Sequence, residues 1–114
     1  KNLVIVMGEG APERAPELVK NLEAEPQIMS RVKPAKWIGG RRWDLVFRDD
    51  ITAKLPEGET GLALRKLAEA VEKEGLLEKD ILSVDLREES RMIVEPAPGA
   101  AQDYQASTKA GSNI

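Results

Sequence analysis

From Trp43 to Leu55 every second residue is apolar, with a single exception. Trp43, Leu45, Phe47, Ile51, Ala53 and Leu55 occupy the odd positions, and Asp49 with Asp50 interrupts them. A period of two marks a strand with one buried face, and the aspartate pair marks a turn. The two halves keep all six apolar residues on one face in one register: Phe47 opposite Ile51, Leu45 opposite Ala53, Trp43 opposite Leu55. This needs a three-residue loop, 48–50. A two-residue Asp49-Asp50 loop sets Phe47 against Thr52 and mixes the faces. The rest of the chain has to fold around this hairpin.

On its N-terminal side, Leu3–Met7 is a continuous, β-branched apolar run that predicts a buried strand. A Gly- and Pro-rich loop follows. Pro16 fits the first turn of a helix whose stripe is Leu18, Val19 and Leu22, and Pro26 ends or kinks it. Val32–Ile38 predicts a strand. Pro34 makes it an edge or a bulged one, and Gly39-Gly40 turns the chain. On the C-terminal side, Leu64, Leu67, Ala68 and Val71 repeat at helical spacing, with Thr60 or Glu59 as cap and Gly75 as stop. Ile81–Leu86 alternates again, placing Leu82, Val84 and Leu86 on one face. After a turn through Glu88–Ser90, Met92 and Val94 face the core, so Leu86 pairs with Met92 and Val84 with Val94. That register sets Arg87 opposite Arg91, an unfavourable pair. Either Asp85, a diagonal neighbour, relieves it, or it is a cationic spot open to an acidic partner. Residues 99–114 are small, polar and aperiodic, which predicts a flexible tail with Tyr104 as its one anchor. The expected fold is α+β: one domain over residues 1–98, a largely antiparallel sheet and two main helices.

At 114 residues the chain has length for one domain with a modest core. It has no histidine and no cysteine. This removes His general bases, Ser-His and Cys-His nucleophiles, and Cys/His zinc sites. With 17 Lys and Arg against 20 Asp and Glu, the net charge of −3 argues against general nucleic-acid binding. No apolar run approaches the ~20 residues of a membrane span. The chain enters a strand directly from Lys1 without a Met. It reads as part of a longer protein whose upstream targeting or anchoring segments would not be visible here. Ser30–Lys33 spells S-x-x-K without the companion motifs of penicillin-binding enzymes. Gly8-Glu9-Gly10 lacks the third glycine of a dinucleotide loop. Asp49 and Asp50 diverge at a solvated hairpin tip, so turn formation explains them. A small hydrolase would need carboxylates converging in a cleft. No catalytic residue, cofactor or metal is expected.

The stretch from Arg31 to Trp43 contains Arg31, Lys33, Lys36, Arg41 and Arg42, two tryptophans and no acid. A single-stranded nucleic-acid module would use such residues, with bases stacked on the aromatics. Against this, Trp43 falls on the core face of the hairpin. Trp37 is compatible with either core or surface.

Three stretches in order carry a resemblance: VIVMGEGAPE, WIGGRRWDLVFRDDITAKLPEG and ILSVDLREESRMIVEPAP. Over about residues 3–98 the chain resembles the C-terminal β domain of the FtsQ/DivIB family of bacterial cell-division proteins, in its alphaproteobacterial form. The resemblance implies a periplasmic domain of a single-pass inner-membrane protein, preceded by a POTRA domain. It implies a non-enzymatic scaffold of the divisome that binds FtsB and FtsL and no nucleic acid. In the family, FtsB adds a strand beside the last β strand and sets acids near arginines. Carried over, Arg87 is one such arginine and one of Arg41 and Arg42 another. Ser90, Arg91, Met92, Ile93, Val94 and Glu95 form the augmented strand. Glu88 stands where enterobacterial members have a Tyr, and no Trp follows Pro96, so the partner contacts differ there. Ile93→Pro tests strand addition if the Ile93 N–H points outward.

Overall fold

A computed structural model describes residues 4–98. In chain order its elements are β1 (Ile5–Met7), α1 (Ala11–Glu23), α2 (Pro26–Met29), β2 (Val32–Ile38), β3 (Arg42–Phe47), β4 (Thr52–Lys54), α3 (Thr60–Glu74), β5 (Ile81–Asp85) and β6 (Ile93–Pro96). Short 3₁₀ turns at Arg48–Asp50 and Leu76–Glu78 complete it.

The central hairpin has the register that the alternation requires. Leu45 opposes Ala53. The Phe47 N–H donates to the Ile51 carbonyl at 2.8 Å, and the Leu55 N–H to the Trp43 carbonyl at 2.9 Å. Arg48–Asp50 form the loop, with Asp49 at φ 64° and Asp50 at φ 60°. Aspartate tolerates this left-handed region better than most side chains.

The six strands lie in sequence order across one sheet. The sheet is mixed: β1–β2 and β4–β5 are parallel, the other three pairs antiparallel. The α+β class therefore holds, with two crossovers built into a sheet expected to be largely antiparallel. Each parallel pair is joined through helix, α1–α2 in one case and α3 in the other. Both crossovers step the same way between strands that point the same way. A single handedness then puts both helical layers on one face, where α1 packs against α3. Trp43, Leu45, Phe47, Ile51, Ala53 and Leu55 all face this layer and are buried. From the helices, Leu18 and Leu22 of α1 and Leu64, Leu67, Ala68 and Val71 of α3 meet them. Gly75, at φ 63°, ends α3 as the C-cap.

Four expectations change. Helix α1 begins at Ala11, with Pro12 in its first turn and Pro16 inside it. Strand β2 lies inside the sheet, so Pro34 marks a bulge and no edge: the ladder to β3 shifts between Val32 and Ala35. Strand β1 is an edge, with Ile5 66% and Met7 48% exposed. Helices cover only one face, so a continuous apolar run there is half uncovered. Leu82 is also exposed, because Leu82 and Ser83 together oppose Glu95. This bulge leaves Leu82 exposed and Ser83 buried with its hydroxyl on Glu95, and brings Ile81 and Val84 into the core. The expected tail, 99–114, with Tyr104, lies outside the described residues.

Gly8 is set by a close approach. At φ 114° it lies against β2, and a Cβ there would sit 2.6 Å from the Trp37 carbonyl oxygen. The loop into α1 thus rests on Trp37, whose indole lies beneath the Arg14 guanidinium at 5.3 Å.

Candidate functional site

The basic-aromatic stretch does not form a stacking platform. Trp37 and Trp43 are cross-strand partners with ring centroids 5.0 Å apart. Trp43 is buried, and Trp37 is half-buried under Arg14. The basic residues disperse. Arg31 binds Glu78 at the far end of the sheet (3.2 Å), and Lys33 and Lys36 are exposed. Only Arg41 and Arg42 reach a common site.

That site is an open concavity of about 540 Å³, lined by Ile38, Gly39, Arg41, Arg42, Pro56, Glu57 and Arg87. The β2–β3 turn carries Arg41. Arg42 starts β3. Arg87 follows β5. They meet because β3, β4 and β5 are adjacent in the sheet. Each arginine has an acid of its own. Arg42 pairs with Asp44, both largely buried. Arg87 is held by Asp85: Nε reaches Oδ1 at 2.9 Å, Nη2 reaches Oδ2 at 2.7 Å, and the Arg87 backbone N–H donates to Oδ1 at 3.0 Å. Arg41 approaches Glu57 at 3.7 Å, with both side chains mostly exposed. The hydrogen bond from the Arg87 side chain, reinforced by the Arg87 backbone N–H and by the charges of Arg87 and Lys54, outweighs burial and holds the Asp85 carboxyl below the usual aspartate range. On the outer face, Asp44, Lys54 and Asp85 form one cross-strand row of alternating charge.

The relief that the sequence allowed for Arg87 and Arg91 is present. Asp85 pairs with Arg87, and Glu88 pairs with Arg91 at 2.7 Å. The two arginines are not ladder partners, since pairing stops at Asp85–Ile93. Val84 does oppose Val94, and both Met92 and Val94 pack against the core. Strand β6 is shorter than expected, so Ser90, Arg91 and Met92 lie on the loop leading into it. That loop is fastened to α3 by a hydrogen bond from Lys66 Nζ to the Glu89 carbonyl, a contact with no signal in the sequence. The Arg42–Asp44 and Asp85–Arg87 pairs do have one: residues two apart on a strand share a face.

Strand β6 ends the sheet, and its outer side is unpaired among the described residues. Its free backbone groups can be assigned. The Leu86 N–H donates to the Lys54 carbonyl at 2.8 Å, so Leu86 and Val84 direct their backbone groups toward β4. By alternation Ser83 and Asp85 direct theirs toward β6. Their partners Glu95 and Ile93 point back at β5. Val94 is therefore the residue whose N–H and C=O face outward, and Ile93, expected as the test position, faces inward. Pro96 has the outward orientation and no N–H to offer.

Among the described residues no group of His, Cys, Asp and Glu side chains could hold a metal ion, and no helix is long and apolar enough to cross a membrane. The model of the C-terminal region of cell division protein FtsQ/DivIB matches residues 1–87. Cell division protein FtsQ of Bradyrhizobium diazoefficiens is 35% identical over 101 residues, 89% of this chain and 30% of the relative. FtsQ of Rhizobium radiobacter is 36% identical over 108 residues, 95% of this chain and 51% of the relative. FtsQ of Paracoccus denitrificans is 38% identical over 96 residues, 82% and 27%. The chain spans about half of the Rhizobium radiobacter relative and less than a third of the other two.

Proposed function

The chain belongs to the FtsQ/DivIB family of cell division proteins, as its C-terminal domain, and from this premise we propose that it is a non-enzymatic docking module of the division machinery. In this reading it lies in the periplasm and is anchored through the remainder of a longer protein. It binds the FtsB–FtsL pair by adding a partner strand to β6 and by receiving partner carboxylates at Arg41 and Arg87.

One observation carries the reading. Three arginines from two separate stretches of the chain line one concavity, directly beside the loop that leads into a sheet edge left unpaired among the described residues. An edge offers backbone hydrogen bonds, and neighbouring side chains supply selectivity. Arg41 is the better contact of the adjacent pair. Its link to Glu57 is long and solvated, the kind of ion pair that contributes little and is readily exchanged. Arg42 is largely buried against Asp44 and serves to shape the site. Arg87 has its Nε and Nη2 committed to Asp85, which aims the guanidinium and leaves Nη1 for a partner carboxylate.

The edge by itself is short. Along β6 it presents the Val94 N–H and the Val94 and Pro96 carbonyls. Three hydrogen bonds at about 0.5–1.5 kcal/mol each give about 1.5–4.5 kcal/mol. Micromolar association needs about 8 kcal/mol. Side chains must therefore supply much of the affinity, as the arginine cluster does in this reading.

The test is a calorimetric titration of the domain with the periplasmic segments of FtsB and FtsL from the same organism. Arg87→Ala should weaken binding, and Arg87→Glu should weaken it further, because repulsion adds to loss. Equal affinity of all three proteins overturns the proposal.

A further inference from the structure

The concavity at the arginines continues past Arg87. A second hollow of about 380 Å³ opens on the other side and shares Pro56, Glu57 and Arg87 with the first. Its walls are the first turns of α3 and the Leu86–Glu89 segment after β5. Ala63 and Leu86 lie buried beneath it, and Leu62 stands at its mouth, 44% exposed.

The fold does not account for Leu62. The buried stripe of α3 is Ala63, Leu64, Leu67, Ala68 and Val71. Two residues before Leu64, at about 100° per residue, Leu62 is turned away from the centre of that stripe. It is the one large apolar side chain of α3 left exposed. One turn later, Lys66 holds the Glu89 carbonyl, so the opposite wall of the hollow is fixed to the same helix.

Charge gives the combined trough a direction. Its first half carries Arg41, Arg42 and Arg87 against one lining acid, Glu57. The rim of its second half carries Glu57, Glu59, Glu88 and Glu89 against two cations, Lys66 and the shared Arg87. A uniformly acidic segment fits the first half and is repelled by the second.

We propose that the two hollows are one docking site, and that Leu62 receives an apolar side chain of the same partner segment that presents its carboxylate to the arginines. The segment that fits has an acidic residue, then an apolar residue over Leu62, and no further acid where it passes Glu88 and Glu89. This rests on the reading of the arginines as a carboxylate site.

The experiment repeats the FtsB–FtsL titration with Leu62→Asn, Leu62→Met and Arg87→Glu, after thermal melting has shown that each variant folds. Leu62→Met keeps the apolar surface and should bind as the unmodified domain does. Leu62→Asn removes that surface without adding charge and should weaken binding about tenfold or more. If Leu62→Asn binds unchanged while Arg87→Glu is weakened, the Leu62 contact is refuted and the arginine site stands. If neither variant is weakened, or the unmodified domain does not bind, both readings fall.

Discussion

At the scale of single residues, the site is built on intramolecular ion pairs that a partner would have to share or exchange. Asp85 is the clearest case. Its carboxyl is more acidic in the folded domain than in an unfolded chain, so the folded state binds fewer protons in acid. The stabilisation is present in full above the unfolded value of about 3.8 and is lost as pH falls through the lower, folded value. Asp85→Asn should remove this part of the acid-unfolding limb and leave the neutral limb parallel to that of the unmodified domain. Melting curves between about pH 2 and 7 check this. The same substitution frees Arg87, so its effect on partner binding at pH 7 reports whether holding the guanidinium in place matters. The i, i+2 spacing of Asp85 and Arg87 was readable in the sequence. The commitment of Nε and Nη2, which leaves Nη1 over, was not.

At the scale of elements, β6 is a strand with one outward-facing N–H, and its neighbours differ sharply in what they do. Ile93 directs its N–H at β5, so Ile93→Pro removes a hydrogen bond inside the sheet and should destabilise the domain by about 1–3 kcal/mol. Val94 directs its N–H at solvent, and proline is tolerated on the outer side of an edge strand. Val94→Pro breaks no hydrogen bond of the sheet and loses only part of the packing of Val94 against the core, so it should lower the denaturation midpoint less than Ile93→Pro does and weaken the partner. The two substitutions, compared by urea unfolding and by titration, separate folding from strand addition. A domain destabilised more by Val94→Pro than by Ile93→Pro would reverse this assignment. Periodicity predicted the apolar parity of β5 and β6 but not the bulge at Leu82–Ser83. The bulge arises from how β5 meets Glu95 across the ladder, with Ser83 Oγ donating to Glu95 Oε1 at 3.0 Å, and no pattern local to β5 announces it.

At the scale of the whole molecule, the described residues cover one face of a six-stranded sheet and leave the other open. The covered face holds the core of the described residues. Residues 100–114 are small, polar and aperiodic in sequence, so their removal should leave the melting temperature unchanged. In the proposed function it should leave partner affinity unchanged as well; a large loss of affinity would assign the tail a role in docking. The open face carries the Asp44–Lys54–Asp85 row between two edges, β1 and β6. The β1 edge shows Ile5 and Met7, and the β6 edge has Arg87 and a fastened loop beside it. It is this surrounding chemistry that distinguishes the two edges as docking surfaces.

The sequence by itself determined which residues face the core in the central hairpin and in α3, the hairpin register, the helix stop at Gly75 and the absence of histidine and cysteine chemistry. These follow from periods of two and 3.6 and from composition, which act over a few neighbouring residues. Only the tertiary structure decided that β2 is interior and β1 an edge, that β4 pairs in parallel with β5, and that Arg41, Arg42 and Arg87 share one concavity. It alone decided that Val94 carries the outward N–H. Each of these depends on which strand lies beside which across the sheet. Strand order is set by packing whole elements against a common core, and local periodicity carries no record of it.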